Sequence, residues 1–343
     1  MSGAADRRTV LVTGASGVIG GALLDELGGY DVIGMAHSGK LPREDAETLR
    51  GDVTQPRFGL SQASFRELAA RVDVIVHSAG LVTFGLPEER YRDINVHGTE
   101  HLLELAHAAG APVHHVGTAF VQSFSPDAPI KLDRSNAVWG YVASKIESDR
   151  LFAESGLPHS VFRPPNLIGD SRTGIMSRKQ FVTQIASDSL RGRFPFLPAR
   201  PGSRFDMVPQ DLCATCIAAV LNADDFGSEW WLAYGESCLT VEELMEEIGR
   251  FGERIGLKAT LPRLIDPDDE EAIEAELDKL PPVGRVMYAR LLELTDAMTA
   301  GGVFPSSLEL LTERYGVAVP DLRDAIAAQL EHLGKSKRLA AMA

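Results

Sequence analysis

The 343-residue chain carries 34 basic and 48 acidic side chains, and its formal charge of -14 excludes a general binder of nucleic acid. A composition that is 44% hydrophobic and 24% charged excludes a disordered chain, and no apolar run reaches the roughly 18–20 residues that cross a bilayer. Met1–Arg8 is polar without a signal-peptide core and three cysteines are too few for a disulfide framework, so the expected location is cytoplasmic, with no membrane partner.

β-Branched apolar runs predict strands at Thr9–Thr13, Asp31–Ala36, Thr48–Gly51, Val72–His77, Val113–Thr118 and His159–Arg163. Between them lie predicted helices at Val18–Leu27, Phe65–Arg71, Glu88–Ala109 and Tyr141–Glu154. This alternation implies an α/β fold, a doubly wound parallel sheet that binds ligands at the carboxyl ends of its strands. The turn from the first strand into the first helix reads Thr13-Gly14-Ala15-Ser16-Gly17-Val18-Ile19-Gly20. Unpaired N–H groups at a helix start attract phosphate, so this turn is a candidate cradle for a dinucleotide pyrophosphate. Gly14 would make the tight turn, Gly17 would admit the phosphates, and Gly20 would let helix and strand pack closely.

After Arg163 the alternation breaks at Pro164-Pro165, and a Gly/Ser/Arg/Pro-rich region follows with one helix at Lys179–Leu190. Seven basic residues fall between Ser171 and Arg204 (Arg172, Arg178, Lys179, Arg191, Arg193, Arg200, Arg204) against a single acid, Asp188. Such a stretch is either a dock for an anionic substrate or carrier or a solvated helix face. A helix follows Pro209, then a strand-like Glu229–Tyr234, then a helix capped by Thr240 with Glu243 three residues on. Acidic helical patterns occupy Asp268–Leu280, Val283–Ala300, Pro305–Tyr315 and Asp321–Leu333. The expected division is a dinucleotide-binding domain of residues 1–163 with 205–235, and a smaller, mostly helical substrate lobe of 164–204 with 236–343. The C-terminal helices suit either that lobe or a homodimer interface.

Tyr141 and Lys145 stand four apart on a predicted helix, so both point to one side, and a cation beside a phenol is expected to lower its pKa toward general acid–base work. Cys213 and Cys216 have redox spacing but sit inside a helical run, where core packing is the expected role. His97 and His101 also stand four apart, without an evident third ligand, so no metal is expected. Strand alternation sends one ring of Trp230-Trp231 inward.

Further motifs stand in order: Asp52-Val53 after the third strand, His77-Ser78-Ala79-Gly80 after the fourth, Asn95 in the next helix, Gly117-Thr118 after the fifth, and Arg163-Pro164 with Gly169 after the sixth. Over residues 8–235 the chain resembles the extended short-chain dehydrogenase/reductases, which are Rossmann enzymes. The resemblance implies Tyr141 as proton donor, Lys145 on the ribose hydroxyls, and Thr118 in place of a carbonyl-orienting serine. It implies Asn95 as either a structural residue or one that orders a relay water. Cofactor contacts are expected from Gly14, Ser16, Gly17, Val18, Ile19, Gly20, Asp52, Val53, Ala79, Gly80, Pro164 and Asn166. No acid stands at Met35–Lys40, where one would bind the ribose of NAD. His37, Ser38 and Lys40 would reach a 2′-phosphate, so NADP(H) is the expected cofactor, with NAD(H) left open.

Gly117–Val121, Gly169–Gly174 and Phe205–Asp211 are similar to segments of thioester reductases and fatty acyl-CoA reductases. That similarity implies reduction of an acyl thioester, carried on CoA or an acyl/peptidyl carrier protein, to an aldehyde or alcohol. Reduction of a free aldehyde or ketone, sterol-like alcohol oxidation, nucleotide-sugar epimerisation and non-catalytic dinucleotide sensing remain alternatives.

Overall fold

A computed structural model of the chain describes residues 7–128, 133–178, 181–257, 261–299 and 302–335; the expected helix positions Lys179 and Ala300 lie outside these residues. Strands β1 (Thr9–Thr13), β2 (Asp31–Ala36), β3 (Glu47–Arg50), β4 (Val74–His77), β5 (Val113–Val116) and β6 (His159–Arg163) follow in chain order; helices connect all but β2 and β3, and apart from the exposed edge strand β3 they are largely buried. With β10 (Glu229–Trp231) they form one seven-stranded sheet in the order β3-β2-β1-β4-β5-β6-β10, every pair parallel. Sequence order reverses between β1 and β4, and a crevice opens there at the strand ends.

Helices α1 (Val18–Glu26), α2 (Gln62–Arg71), α3 (Glu88–Tyr91), α4 (His97–Ala109), α5 (Trp139–Glu154) and α7 (Gln210–Asn222) accompany the sheet. Local hydrogen bonds explain where boundaries differ from the sequence pattern. Ser61 accepts from the Ser64 N–H at 3.1 Å, which starts α2 three residues early. The Val72 N–H goes to Leu68 at the end of α2, so β4 begins only at Val74. The expected helix Glu88–Ala109 contains a π turn at Arg92–Val96 between α3 and α4, and Asn95 sits in it. The side chain of Thr118 accepts from the Phe120 N–H, ending β5 and starting a 3-10 turn at Ala119–Phe124.

Three-residue strands unmarked in the sequence pattern make two small parallel pairs. β7 (Asn166–Ile168) joins β9 (Met207–Pro209), and β8 (Phe196–Pro198) joins β11 (Arg263–Ile265). Around them pack α6 (Phe181–Leu190), α8 (Val241–Arg254), α9 (Glu270–Leu277), α10 (Pro282–Thr299), α11 (Leu308–Tyr315) and α12 (Leu322–Gly334). Thr240 and Glu243 close the full capping box of α8. Leu311, Leu322, Ile326 and Leu330 bury the apolar faces of α11 and α12 inside the chain itself, whereas α10 leaves Val283 82% exposed. Trp230 is the inward ring, Trp231 lies under Arg163, and all three cysteines are buried thiols. Among the described residues no helix is long and apolar enough to cross a membrane.

Candidate active site

Two adjoining cavities run along the crevice, about 490 Å³ beside β2 and β3 and about 430 Å³ beside β5 and β6; Gly17, Ser78, Gly80 and Arg178 line both. The glycine turn forms their shared floor. Gly14 has φ +66°, and a side chain there would strike the backbone of Ser78 and Ala79 at 2.7 Å. A Cβ on Gly20 would stand 2.4 Å from the Gly14 carbonyl, so the two glycines bring α1 directly onto the strand ends. Gly17 caps α1 without a side chain, and the first-turn N–H groups that follow it have no intrahelical acceptors. A positive, uncapped helix start opening on a shared cavity fits a dinucleotide pyrophosphate.

The first cavity is lined by Ser16, His37, Asp52, Val53, Ala79 and Gly80 among others. Asp52 accepts from the Thr54 N–H and hydroxyl and stands 3.7 Å from His37; these partners outweigh its partial burial and hold its carboxyl below the usual range. Ser38 and Lys40 are exposed and lie off the lining. A cation that the sequence pattern did not mark is tied to this loop, also off the lining: Arg50, which donates to the Gly39 carbonyl at 2.6 Å. Its signal is the pairing register, which sets Arg50 opposite Ala36, the residue before His37.

The second cavity gathers Val18, Ile19, Thr118, Tyr141, Lys145, Pro164 and Asn166. Tyr141 and Thr118 line the same cavity, bringing together the phenol and hydroxyl that the sequence placed 23 positions apart. Burial pushes the Tyr141 phenol up to about 12, against a downward pull from Thr118. This corrects the expectation of a phenol acidified by Lys145. The amine instead donates to the Val116 carbonyl at 2.8 Å, and burial pushes it down to about 8. Tyr141 therefore holds its proton at neutral pH, as a proton donor must.

Asn95 does not line either cavity. Its Oδ1 accepts from the Leu81 N–H at 2.7 Å, and its Nδ2 donates to Leu81 O at 3.2 Å and Ser144 Oγ at 2.8 Å. The side chain is a brace between the loop after β4 and the helix that carries Tyr141, which leaves no side-chain proton to order a relay water. Gly20 likewise acts by packing alone.

Val82, Phe84, Phe120, Leu167 and Val182 give the second cavity an apolar patch, and Phe84 meets Tyr141 edge-on at 5.4 Å. The basic stretch contributes less charge here than its sequence suggests. Arg193 pairs with Asp188 of the same stretch at 3.0 Å, and acids from distant segments pair with Arg200 (Asp268, 2.9 Å) and Arg204 (Glu236, 3.6 Å). Arg178 is the member that reaches both cavities, and Lys179 lies outside the described residues.

His101 Nδ1 bonds the Val53 carbonyl at 2.9 Å and His97 lies near Asp93; no group of three metal-ligating side chains converges among the described residues. Near the second cavity lie two acids, Asp149 and Glu229, and a histidine, His115, that the sequence pattern did not single out. Arg163 bonds Asp149 at 2.8 Å and Glu229 at 2.6 Å, with His77 and His115 buried beside them.

A family model described as male sterility protein matches residues 38–217. The glycine betaine reductase ATRR of Emericella nidulans is 30% identical over 262 residues, covering 63% of this chain and 20% of that protein. A linear gramicidin synthase from Brevibacillus parabrevis is 33% identical over 177 residues, covering 48% of this chain and 3% of that protein. The chain thus spans about a fifth or less of these two relatives. Among solved structures, the terminal R domain from the myxalamid PKS-NRPS biosynthetic pathway aligns with a TM-score of 0.78 at 25% identity, over 99% of this chain and 94% of that one. A UDP-glucose 4-epimerase aligns with a TM-score of 0.67 at 16% identity, over 96% of this chain and 98% of that one, a likeness of fold alone.

Proposed function

The chain belongs to the male sterility protein family of extended short-chain dehydrogenase/reductases and is an NAD(P)-dependent oxidoreductase, and from that premise we propose that it reduces acyl thioesters with NADPH. The observation that carries the proposal is the second cavity: a protonated phenol, a hydroxyl and an amine share it with a cluster of apolar side chains and Arg178, and no carboxylate lines it. The likeness to a terminal reductase domain of a megasynthase supports the same reading.

The first-turn N–H groups of α1 would hold the pyrophosphate, Asp52 and Val53 the adenine end, and Lys145 the ribose hydroxyls beside Tyr141. When bound, the reduced nicotinamide supplies hydride. Thr118 and Tyr141 orient the thioester carbonyl by hydrogen bonds to its oxygen, and the pair stabilises the negative charge that develops there. Tyr141 then gives its Oη proton to that oxygen. The hemithioacetal so formed loses thiol to leave an aldehyde, and a second round gives the alcohol. Phe84, Phe120, Leu167 and Val182 would receive the acyl chain. Arg178, at the junction of the cavities, would meet a phosphate of CoA or of a carrier's phosphopantetheine arm. The NADPH preference rests on His37 after β2 and Arg50 at the end of β3, which the register sets opposite Ala36, with Lys40 nearby in sequence and no acid among residues 37–40.

Absorbance assays of NADPH and NADH against acyl-CoA, acyl-carrier, aldehyde and ketone panels test this reading. Tyr141→Phe is expected to lower thioester turnover by about 10²–10⁴-fold while NADPH affinity stays within a few-fold. Retention of most of the turnover overturns the assignment, and turnover confined to free carbonyl substrates overturns the thioester class.

A further inference from the structure

Lys145 lies wholly within the protein, yet a lysine that serves a cofactor ribose and a catalytic phenol must keep its charge there. Burial works against that charge and pushes the amine down to about 8. The groups facing it come from several elements. On α5, Tyr141 lies one turn before it and Asp149 one turn after it, so all three share a face. From β4 and β5 come His77 and His115, which burial pushes to about 3 and well below the usual range, so both rings are neutral at physiological pH. His159 on β6 also faces His115. From β6 comes Arg163, a cation that disfavours the lysine's charge, and beyond it Glu229 of β10. Asp149 is the one anion of this set that favours a charged Lys145.

Burial raises the Asp149 carboxyl above its usual range, and the cations beside it, Arg163 foremost, work against that rise. Asp149 Oδ2 accepts from Arg163 Nη1 at 2.8 Å, and Arg163 reaches both carboxylate oxygens of Glu229, at 2.6 and 3.2 Å. Trp231 backs the guanidinium at 5.5 Å. The other carboxylate oxygen, Oδ1, is buried without a hydrogen bond, 3.5 Å from the unbonded Nε2 of His115. Gly117 roofs the pair. A Cβ there would stand 3.3 Å from Arg163 Nη1 and 3.5 Å from Asp149 Oδ1, one residue along from the Val116 carbonyl that receives the Lys145 amine. The strand end that presents Thr118 is thus seated on this ionic chain.

We propose that Asp149 is a positioning residue of the reduction: the chain from Asp149 through Arg163 to Glu229 holds a carboxylate one helical turn below Lys145 and keeps the amine charged, so setting the alkaline limit of the enzyme. The proposal rests on the role given above to Lys145. Its sign follows directly. An amine charged below its pKa loses that charge as pH rises, so removing the anion moves the loss to lower pH.

The test is competitive acetylation of Lys145 with acetic anhydride across a pH series, read by peptide mass spectrometry on the full chain without cofactor. Asp149→Asn is expected to lower the labelling midpoint by about one pH unit or more, tenfold in the protonation equilibrium. The alkaline limb of NADPH-dependent turnover is expected to move by the same amount, while Asp149→Glu stays close to the parent protein. A folded Asp149→Asn protein with an unmoved midpoint overturns the proposal, as does an activity loss that is uniform with pH, which is what a merely structural role would produce. Should Asp149→Asn fail to fold, Glu229→Gln carries the test from the solvent-exposed end, with a smaller shift in the same direction expected and an unmoved midpoint overturning the proposal. Labelling needs no substrate. A shifted midpoint in a protein inactive on thioesters would leave this inference standing and sink the proposed function instead.

Discussion

The two halves of the crevice are built by different means. The first cavity is made mostly from the ends of neighbouring strands and the turns that directly follow them: Gly14, Ser16 and Gly17 after β1, His37 after β2, Asp52 and Val53 after β3, Ala79 and Gly80 after β4. Much of the second cavity's wall comes from parts of the chain that touch only once folded, with Phe84, Phe120, Leu167, Arg178 and Val182 brought around Tyr141. A half assembled from strand ends is set by backbone packing, so it tolerates no added atoms. A half assembled from loops and short strands depends on a few cross-chain hydrogen bonds and is free to vary with substrate.

Substitutions on each side sharpen this contrast. The largest effect is expected on the backbone-packed side. Gly20→Ala would set a methyl 2.4 Å from the Gly14 carbonyl, which cannot move without displacing the β1 turn. A stability loss of about 2–4 kcal/mol is expected, with at least tenfold weaker dinucleotide binding, read by denaturant unfolding and fluorescence titration. A near-neutral Gly20→Ala would break the account of the turn.

On the other side the corresponding residue is Gln329 of α12, whose Oε1 accepts from the buried Gly169 N–H at 2.6 Å and so anchors the loop after β7. Gln329→Ala leaves that donor unsatisfied, at a cost of about 1–3 kcal/mol. The expected signature is a raised KM for the thioester with NADPH affinity unchanged; an equal loss on both would mean that the halves do not separate. The smallest effect is expected from Arg50→Ala. It should weaken NADPH about fivefold and leave NADH alone, in line with one exposed charge-assisted contact to a 2′-phosphate. Equal losses for the two cofactors would remove Arg50 from the specificity argument.

The same contrast explains what could be read in advance. β1, β2 and β6 lie where their apolar runs place them, because a strand buried on both faces advertises itself by composition. The Tyr141–Lys145 pair was legible because helical spacing alone aligns it. The four short strands β7, β8, β9 and β11 were not, since three residues carry no periodicity and each finds its partner only across the fold. The basic stretch misled for a related reason: Asp268 and Glu236, which neutralise Arg200 and Arg204, are remote in sequence.

Local order alone thus determined the parallel sheet, the glycine turn and the alignment of Tyr141 with Lys145, because backbone sterics, burial on two faces and helical spacing act over a few residues; Thr118 was singled out by the family resemblance. Only the tertiary structure decided how far the phenol and the amine shift. Desolvation is a property of everything packed around a side chain, and it raises the Tyr141 phenol and presses the Lys145 amine downward, with Asp149 set against that pressure.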